Sequence, residues 1–431
     1  LRWDGGRGGE RIASAARAFS PQGSGLACAA ASDRIDDLAT PRASRSARPV
    51  PSRTLDGDSM PLGPMDDFLA HQTPETFDHV YTGDRAFYDR YYFNCHSCSD
   101  EIFLITGMGQ YPNLGVLDAF VTVSIGDKHY CVRASRELGH DRLETSVGPF
   151  SVQVVKGLET LRVRCAPNEW NLDFDLTWNG FVPALEEPVT YRRVGNRLTE
   201  HTTRFAQVGN WTGQIRVDGR KFEVTPDRWK GARDHSWGVR PNTGEPEPPG
   251  ILAKYRPAGE FGHFHNWIPM QFDDFMIKVY FDEDANGNRH MEEAVKVPKL
   301  GSNEPIIHLG SPKHEITFKS GTREIARTKL SFAHTDLQVV GTPLRTNYLL
   351  GGSGYRTDGR WGLGYYQGPL EVEGLVWDLK DPKQFAEIQG LNEMLCRWEL
   401  STGEVGYGMH ENACFGIYRP YGFHTMDAVA P

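Results

Sequence analysis

Residues 231–240 read Gly-Ala-Arg-Asp-His-Ser-Trp-Gly-Val-Arg and bring an acid, an imidazole, a hydroxyl, an indole and two guanidinium groups close together. In an extended segment alternate side chains share a face. Arg233, His235 and Trp237 then point one way, and Asp234 and Ser236 the other. Such a set could move a proton with Asp234, orient or exchange it with His235, and wall a pocket with Trp237 and Arg233. It could equally form a buried corner in which Asp234 pairs with Arg233 or Arg240. A second cluster, residues 261–267, reads Phe-Gly-His-Phe-His-Asn-Trp. On a strand, His263, His265 and Trp267 share a face, repeating the spacing of His235 and Trp237. Two such walls facing each other would line one pocket. His-x-His is also a metal-ligand spacing, with His235 as a third imidazole and Asp273 as a carboxylate. Pro269 is expected to interrupt the strand between these groups, and no metal or cofactor is assigned.

The Asp234-His235-Ser236-Trp237-Gly238 run resembles the Asp-His-x-Trp-Gly signature of the hydroxyneurosporene synthase (carotenoid hydratase) and AttH-like group. The resemblance implies two lipocalin-like β-barrels in tandem, with the motif near the pocket. In the hydratase branch it implies addition of water to an unactivated carbon–carbon double bond. In that branch a downstream aromatic-x-Asp acid completes the site. Here the spacing falls on His263 and His265, with no acid, so Asp273, Asp274 or Asp234 would have to replace it. Hydration of an isolated alkene needs a proton delivered to carbon and a water to capture the cation. A carboxylic acid kept neutral by burial can supply that proton. The expected catalytic residues are Asp234, His235 and Asp273. Arg233, Trp237, His263, His265 and Trp267 are expected to bind substrate, the indoles facing a developing cation.

The elements that must position these residues are short strands. Residues 118–125 alternate apolar and polar and run through a Gly-Asp-Lys turn into residues 129–133, a hairpin signal. Further strands are expected over residues 150–155, 160–165, 171–179, 197–205 and 211–217. The second half repeats the pattern. Residues 273–281 are matched to 118–125, the segments 316–318, 323–331 and 337–340 to the strands near 150–180, and 365–374 to 205–219. Gly406 to Glu411 is matched to Gly231 to His235, with His410 and Glu411 a further candidate pair. Residues 381–395 are the one expected helix, starting at Asp381-Pro382. The fold expected is all-β: two tandem lipocalin-like antiparallel barrel or sandwich domains over residues 66–245 and 246–431. Residues 1–65, rich in Ala, Arg, Ser and Gly, read as a disordered or non-native extension.

With 431 residues and a net charge of -9, the chain has no nucleic-acid footprint. Mean hydropathy is -0.50 and no apolar run is long enough to span a bilayer. The seven cysteines (28, 95, 98, 131, 165, 396, 414) read as reduced thiols of a cytoplasmic protein. Cys95 and Cys98 have the spacing of half a zinc site, but no second pair follows. No phosphate loop, nucleophile elbow or dinucleotide fingerprint is in context. The function read from the sequence is a hydratase- or lyase-type enzyme acting by acid catalysis on a hydrophobic isoprenoid- or steroid-like substrate. The alternative is a non-catalytic lipocalin-like carrier of a hydrophobic small molecule. A carbohydrate-active sandwich is a third reading, requiring two carboxylates across an open groove.

Overall fold

Alternating apolar residues, punctuated by glycines at positive φ, fold this chain almost entirely into antiparallel strands. The computed structural model describes residues 62–251 and 260–431. Most of the expected N-terminal extension, and Cys28, lie outside the described residues. The strands form a 14-stranded and a 9-stranded sheet, a nearly closed barrel and a half-barrel in a tandem lipocalin-like arrangement. The motif strand Lys230–Val239 lies in the middle of the first sheet, between Phe87–His96 and Arg197–Val217. In the second sheet Gly262–Gln271 is paired with Val405–Gly416 and Phe275–Asp284. No helix of the described residues is long and apolar enough to cross a membrane.

The two sheets repeat one strand order, and Val405–Gly416 occupies the place of the motif strand. The strands Pro312–Phe318, Ile325–Phe332 and Thr335–Tyr348 correspond to those over residues 150–180, as expected. Two matches shift. Phe275–Asp284 corresponds to Ile102–Tyr111, one strand earlier than 118–125. Leu370–Asp378 has no counterpart at 205–219; it pairs with Lys128–Glu137 and extends the first sheet. The counterpart of Arg197–Val217 is Leu391–Leu400, which begins just after the helix Pro382–Ile388 capped by Asp381. The strand through Pro269 is also continuous. Pro269 pairs with Lys278 on one side, while the pairing with Val405–Gly416 lapses beside it, where the missing N–H is not needed.

Period-two alternation sorts the side chains into four clusters, the smallest formed by Tyr88, Tyr111, Val116 and Leu363. Phe93, Ile102, Leu104, Trp178 and Trp211 fill the first sheet, and Phe264, Ile268, Phe281 and Trp398 fill the second. Between the sheets, Tyr92, Phe103, Ile105 and Ala232 of the first meet Trp267, Met276, Leu395 and Met409 of the second. The sheets therefore pack through their outer faces. Tyr92 Oη donates to Met409 Sδ at 2.9 Å, and Asn347 Nδ2 donates to the Phe103 carbonyl at 3.0 Å.

The last glycine of the motif is a backbone requirement. Gly238 has φ +127°, and a Cβ there would stand 2.0 Å from the His201 carbonyl oxygen of the paired strand. A Gly238→Ala substitution combines left-handed strain with a clash against rigid backbone. It is expected to destabilise the fold by on the order of 3 kcal/mol or more, read as a lowered urea midpoint. An unchanged midpoint would contradict this account of the motif.

Candidate functional site

The motif strand puts its two sets of side chains into different compartments. Tyr91, Phe205 and Trp237 surround the His235 ring at centroid distances of 4.5, 5.4 and 5.3 Å. His235 Nε2 is 2.7 Å from Asp89 Oδ1. Trp237 is 37% exposed. Arg233 is buried on the same face, donates through Nε to Gln207 at 2.9 Å, and burial pushes its pKa down to about 10. All three therefore belong to the interior side of the first sheet. The expected pocket, with His235 and Trp237 opposite His265 and Trp267, does not form. Strand pairing turns the first pair into the first sheet, and the second pair onto the sheet-to-sheet interface.

Asp234 takes the opposite face and looks toward the second sheet. Its strand neighbours on that face are Tyr92 and Ala206, and Arg90, Arg204 and Ser236 follow at the next position. Burial, moderated by Arg204 and reinforced by Glu187 and Glu411, raises the Asp234 carboxyl to about 6. Among the described residues neither Arg233 nor Arg240 makes an ion pair with it. Asp234 keeps some accessible surface while burial dominates its titration. Arg240 lies over the Tyr88 ring at 4.2 Å and over Tyr355 at 5.6 Å. Among the described residues, buried donors here without a protein acceptor are Tyr88 Oη, Arg90 Nε and Nη2, Arg204 Nε and Arg240 Nη2.

The second sheet faces this acid with carboxyl and imidazole groups. Glu393 is fully buried, among the described residues no well-formed hydrogen bond reaches its oxygens, and burial with the charges of Glu411 and Asp234 pushes its pKa well up although Tyr92 opposes this. Trp267 stands edge-on to Tyr92 at 6.3 Å and donates its Nε1–H to Glu187 at 2.6 Å. His265 is held between Asp282, 2.7 Å from Nδ1, and Glu411, 3.4 Å from Nε2. Burial alone would lower its pKa, but Asp282 with Glu411 raises it to about 10. The His265 charge in turn holds Asp282 below the usual carboxylate range against burial. Burial lowers His263 to about 4. His410 is turned away from Glu411 into the second core, where it meets Asn266 and Thr328 and burial lowers it to about 3.

The structure thus gathers Asp234, His265 and Trp267 at one interface and directs Arg233, His235 and Trp237 elsewhere. Asp273 and Asp274 are exposed in a hairpin turn and do not join the cluster. Cys95 is buried in the first core, while Cys98 Sγ lies 3.7 Å from His96 Nδ1. Sequence reasoning missed Tyr88, Tyr92, Glu187, Arg204, Asp282 and Glu393. Only the pairing of distant strands brings them together, though period-two spacing from Asp234 would have pointed to Ala232 and Ser236 as its face. A trough of about 460 Å³ on the outside of the first sheet, lined by Arg162, Asp175, Gln214 and Glu223, shares no residue with this cluster.

The fold and interface define a tandem lipocalin-like β protein with buried polar groups among the apolar contacts between its sheets. The chain belongs to the family described as "Family of unknown function (DUF8625)", whose model matches residues 62–424. Comparison with curated proteins finds no match. Among solved structures it is similar to a presumed AttH from Nitrosomonas europaea, at 11% identity over 76% of this chain and 92% of that one, with a TM-score of 0.48. It is also similar to kievitone hydratase from Nectria haematococca, at 14% identity over 75% and 88%, with a TM-score of 0.39. A third is CghA with Sch210972, at 10% identity over 80% and 90%, with a TM-score of 0.42.

The raised pKa of Asp234 has a thermodynamic consequence. The folded state holds this proton more tightly than the unfolded chain, whose carboxyl titrates near 3.8. Its contribution is therefore present below pH 4 and lost as the pH rises through 6. Asp234→Asn, a neutral mimic of the protonated acid, should match the wild type near pH 4. By pH 8 it should exceed it by on the order of 2–3 kcal/mol. Melting curves across that range measure the difference, and parallel pH profiles would rule out a buried neutral acid.

Proposed function

We propose that this chain is a hydratase- or lyase-type enzyme that binds a hydrophobic small molecule between its two sheets and uses Asp234 as its acid. One observation carries the reading: a carboxyl raised to about 6 by burial, without an ion pair among the described residues, faces the interface where the Tyr92 and Trp267 rings meet edge-on. A group titrating near the working pH can both give and recover a proton. In the hydration direction the Asp234 proton passes to one alkene carbon, the cation forms on its neighbour, and water oxygen bonds there. The proton that this water sheds returns to Asp234, so alkene and water become alcohol with the acid restored. Dehydration is the same path reversed.

Trp267 and Tyr92 bring aromatic rings beside a developing cation, worth about 1–2 kcal/mol each where water is excluded. Tyr88, Arg204 and Arg240 offer donors without acceptors, which favours a substrate with an oxygen function on its isoprenoid- or steroid-like skeleton. His265, already clasped by two carboxylates, is a positioning group for Glu411 rather than a proton donor. His235 and Trp237 stand outside this scheme, on the far face of the same strand.

The test is incubation of the purified chain with oxygenated isoprenoids in ¹⁸O-labelled water, followed by mass spectrometry. Wild type is expected to yield a product heavier by one labelled water. Asp234→Asn is expected to lose at least about 100-fold in turnover, the usual scale of general acid catalysis, and to keep ligand binding. Binding by both proteins with turnover by neither would favour the non-catalytic carrier. Equal turnover by both would remove Asp234 from the mechanism.

A further inference from the structure

We propose that His263, His265 and Asp282 form a binding site for one divalent transition-metal ion of the zinc type. One ligand atom from each lies within 4.8 Å of the others. The geometry follows from strand pairing. His263 and His265 are two residues apart on Gly262–Gln271 and share a face. Asp282 lies directly opposite His265 on the adjoining strand. Two imidazoles and one carboxylate suit zinc, iron(II) or manganese(II) better than the oxygen-seeking calcium and magnesium ions.

The groups behind the three ligands are arranged as metal sites require. Glu411 Oε1 lies 3.4 Å from His265 Nε2, on the opposite side of the ring from Asp282. A carboxylate behind an imidazole holds the proton on that nitrogen and leaves the other lone pair, here on Nδ1, for the ion. Tyr280 Oη donates to Asp282 Oδ2 at 3.1 Å, which leaves Oδ1 directed at the histidines. The His263 ring is stacked on His265 with centroids 5.9 Å apart, and among the described residues no hydrogen bond occupies its nitrogens. The nearby cations do not fill the place of the ion. Arg192 is drawn toward Glu200 at 3.8 Å, and His290 stands at the edge of the cluster.

His265 Nδ1 and Asp282 Oδ1 lie 2.7 Å apart, so an ion would enter between two groups already turned toward each other. The inference is independent of the role given to Asp234, because its readout is metal content and not turnover.

The experiment uses the full chain, stripped with chelator, dialysed and titrated with Co²⁺ alone. One Co²⁺ per chain is expected, with visible d–d absorption that Zn²⁺ abolishes by displacement. Zn²⁺ should also raise the melting temperature. His263→Ala is expected to lose stoichiometric binding while keeping the metal-free melting temperature. Glu411→Gln is expected to weaken binding by about 10–100-fold. Absence of a stoichiometric Co²⁺ complex would overturn the proposal, as would His263→Ala binding Co²⁺ like the wild type. Should His263→Ala fail to fold, the wild-type titration together with Glu411→Gln decides in the same way.

Discussion

Lys278 carries its charge with no exposed surface, and the interface between the sheets is built around keeping it paired. Glu293 holds it at 2.6 Å from within the second sheet, and Glu187, which follows the short strand Leu185–Glu186 of the first sheet, holds it at 2.9 Å. Glu187 also accepts from the Trp267 indole and draws Arg204 to 3.5 Å. A single carboxylate thus ties together an ammonium, an indole and a guanidinium from both sheets. Breaking such a buried pair leaves an uncompensated charge, at a cost of about 3–5 kcal/mol. The relative placement of the two sheets is fixed at this point, and with it the distance from Asp234 to the residues opposite.

The same network explains why the interfacial acids differ. Glu187 and Asp282 have cations in contact and stay ionised against burial. Arg204 has its charge committed to Glu187, and Arg240 lies over aromatic rings, so neither closes on Asp234. Asp234 and Glu393 are left to burial and to like charges, and both are pushed up. Acids driven apart in this way within one site are the usual basis for dividing donor and acceptor roles. The proposed chemistry needs no unusual residue, only this uneven sharing of cations.

Much of this architecture was readable from the chain. Alternation and turn glycines indicated an all-β protein, and the Gly406–Glu411 match to the motif identified the repeat. The split of Arg233, His235 and Trp237 from Asp234 also followed from strand geometry. What each face would meet did not follow. A period of two says that side chains diverge, but it does not say which side is the inside of a sheet and which is packed against another sheet. His235 and Trp237 were therefore placed opposite His265 and Trp267, although a whole sheet thickness separates the two faces. Asp273, Asp274 and Asp234 are the acids the sequence offers to complete the site, whereas the hairpin register brings Asp282 beside His265. Glu187 and Arg204 gave no signal of their own, because one charged residue in an exposed-looking strand resembles any other.

Leu370–Asp378 joins the edge of the first sheet although it is separated from its partner, Lys128–Glu137, by more than half of the chain. During synthesis, most strands of the second sheet leave the ribosome before this edge can be covered. Until then Lys128–Glu137 presents a row of unsatisfied amides and carbonyls, the kind of edge that recruits foreign strands. A cut midway would leave the first half with that flank open, because the strand that covers it lies in the second half.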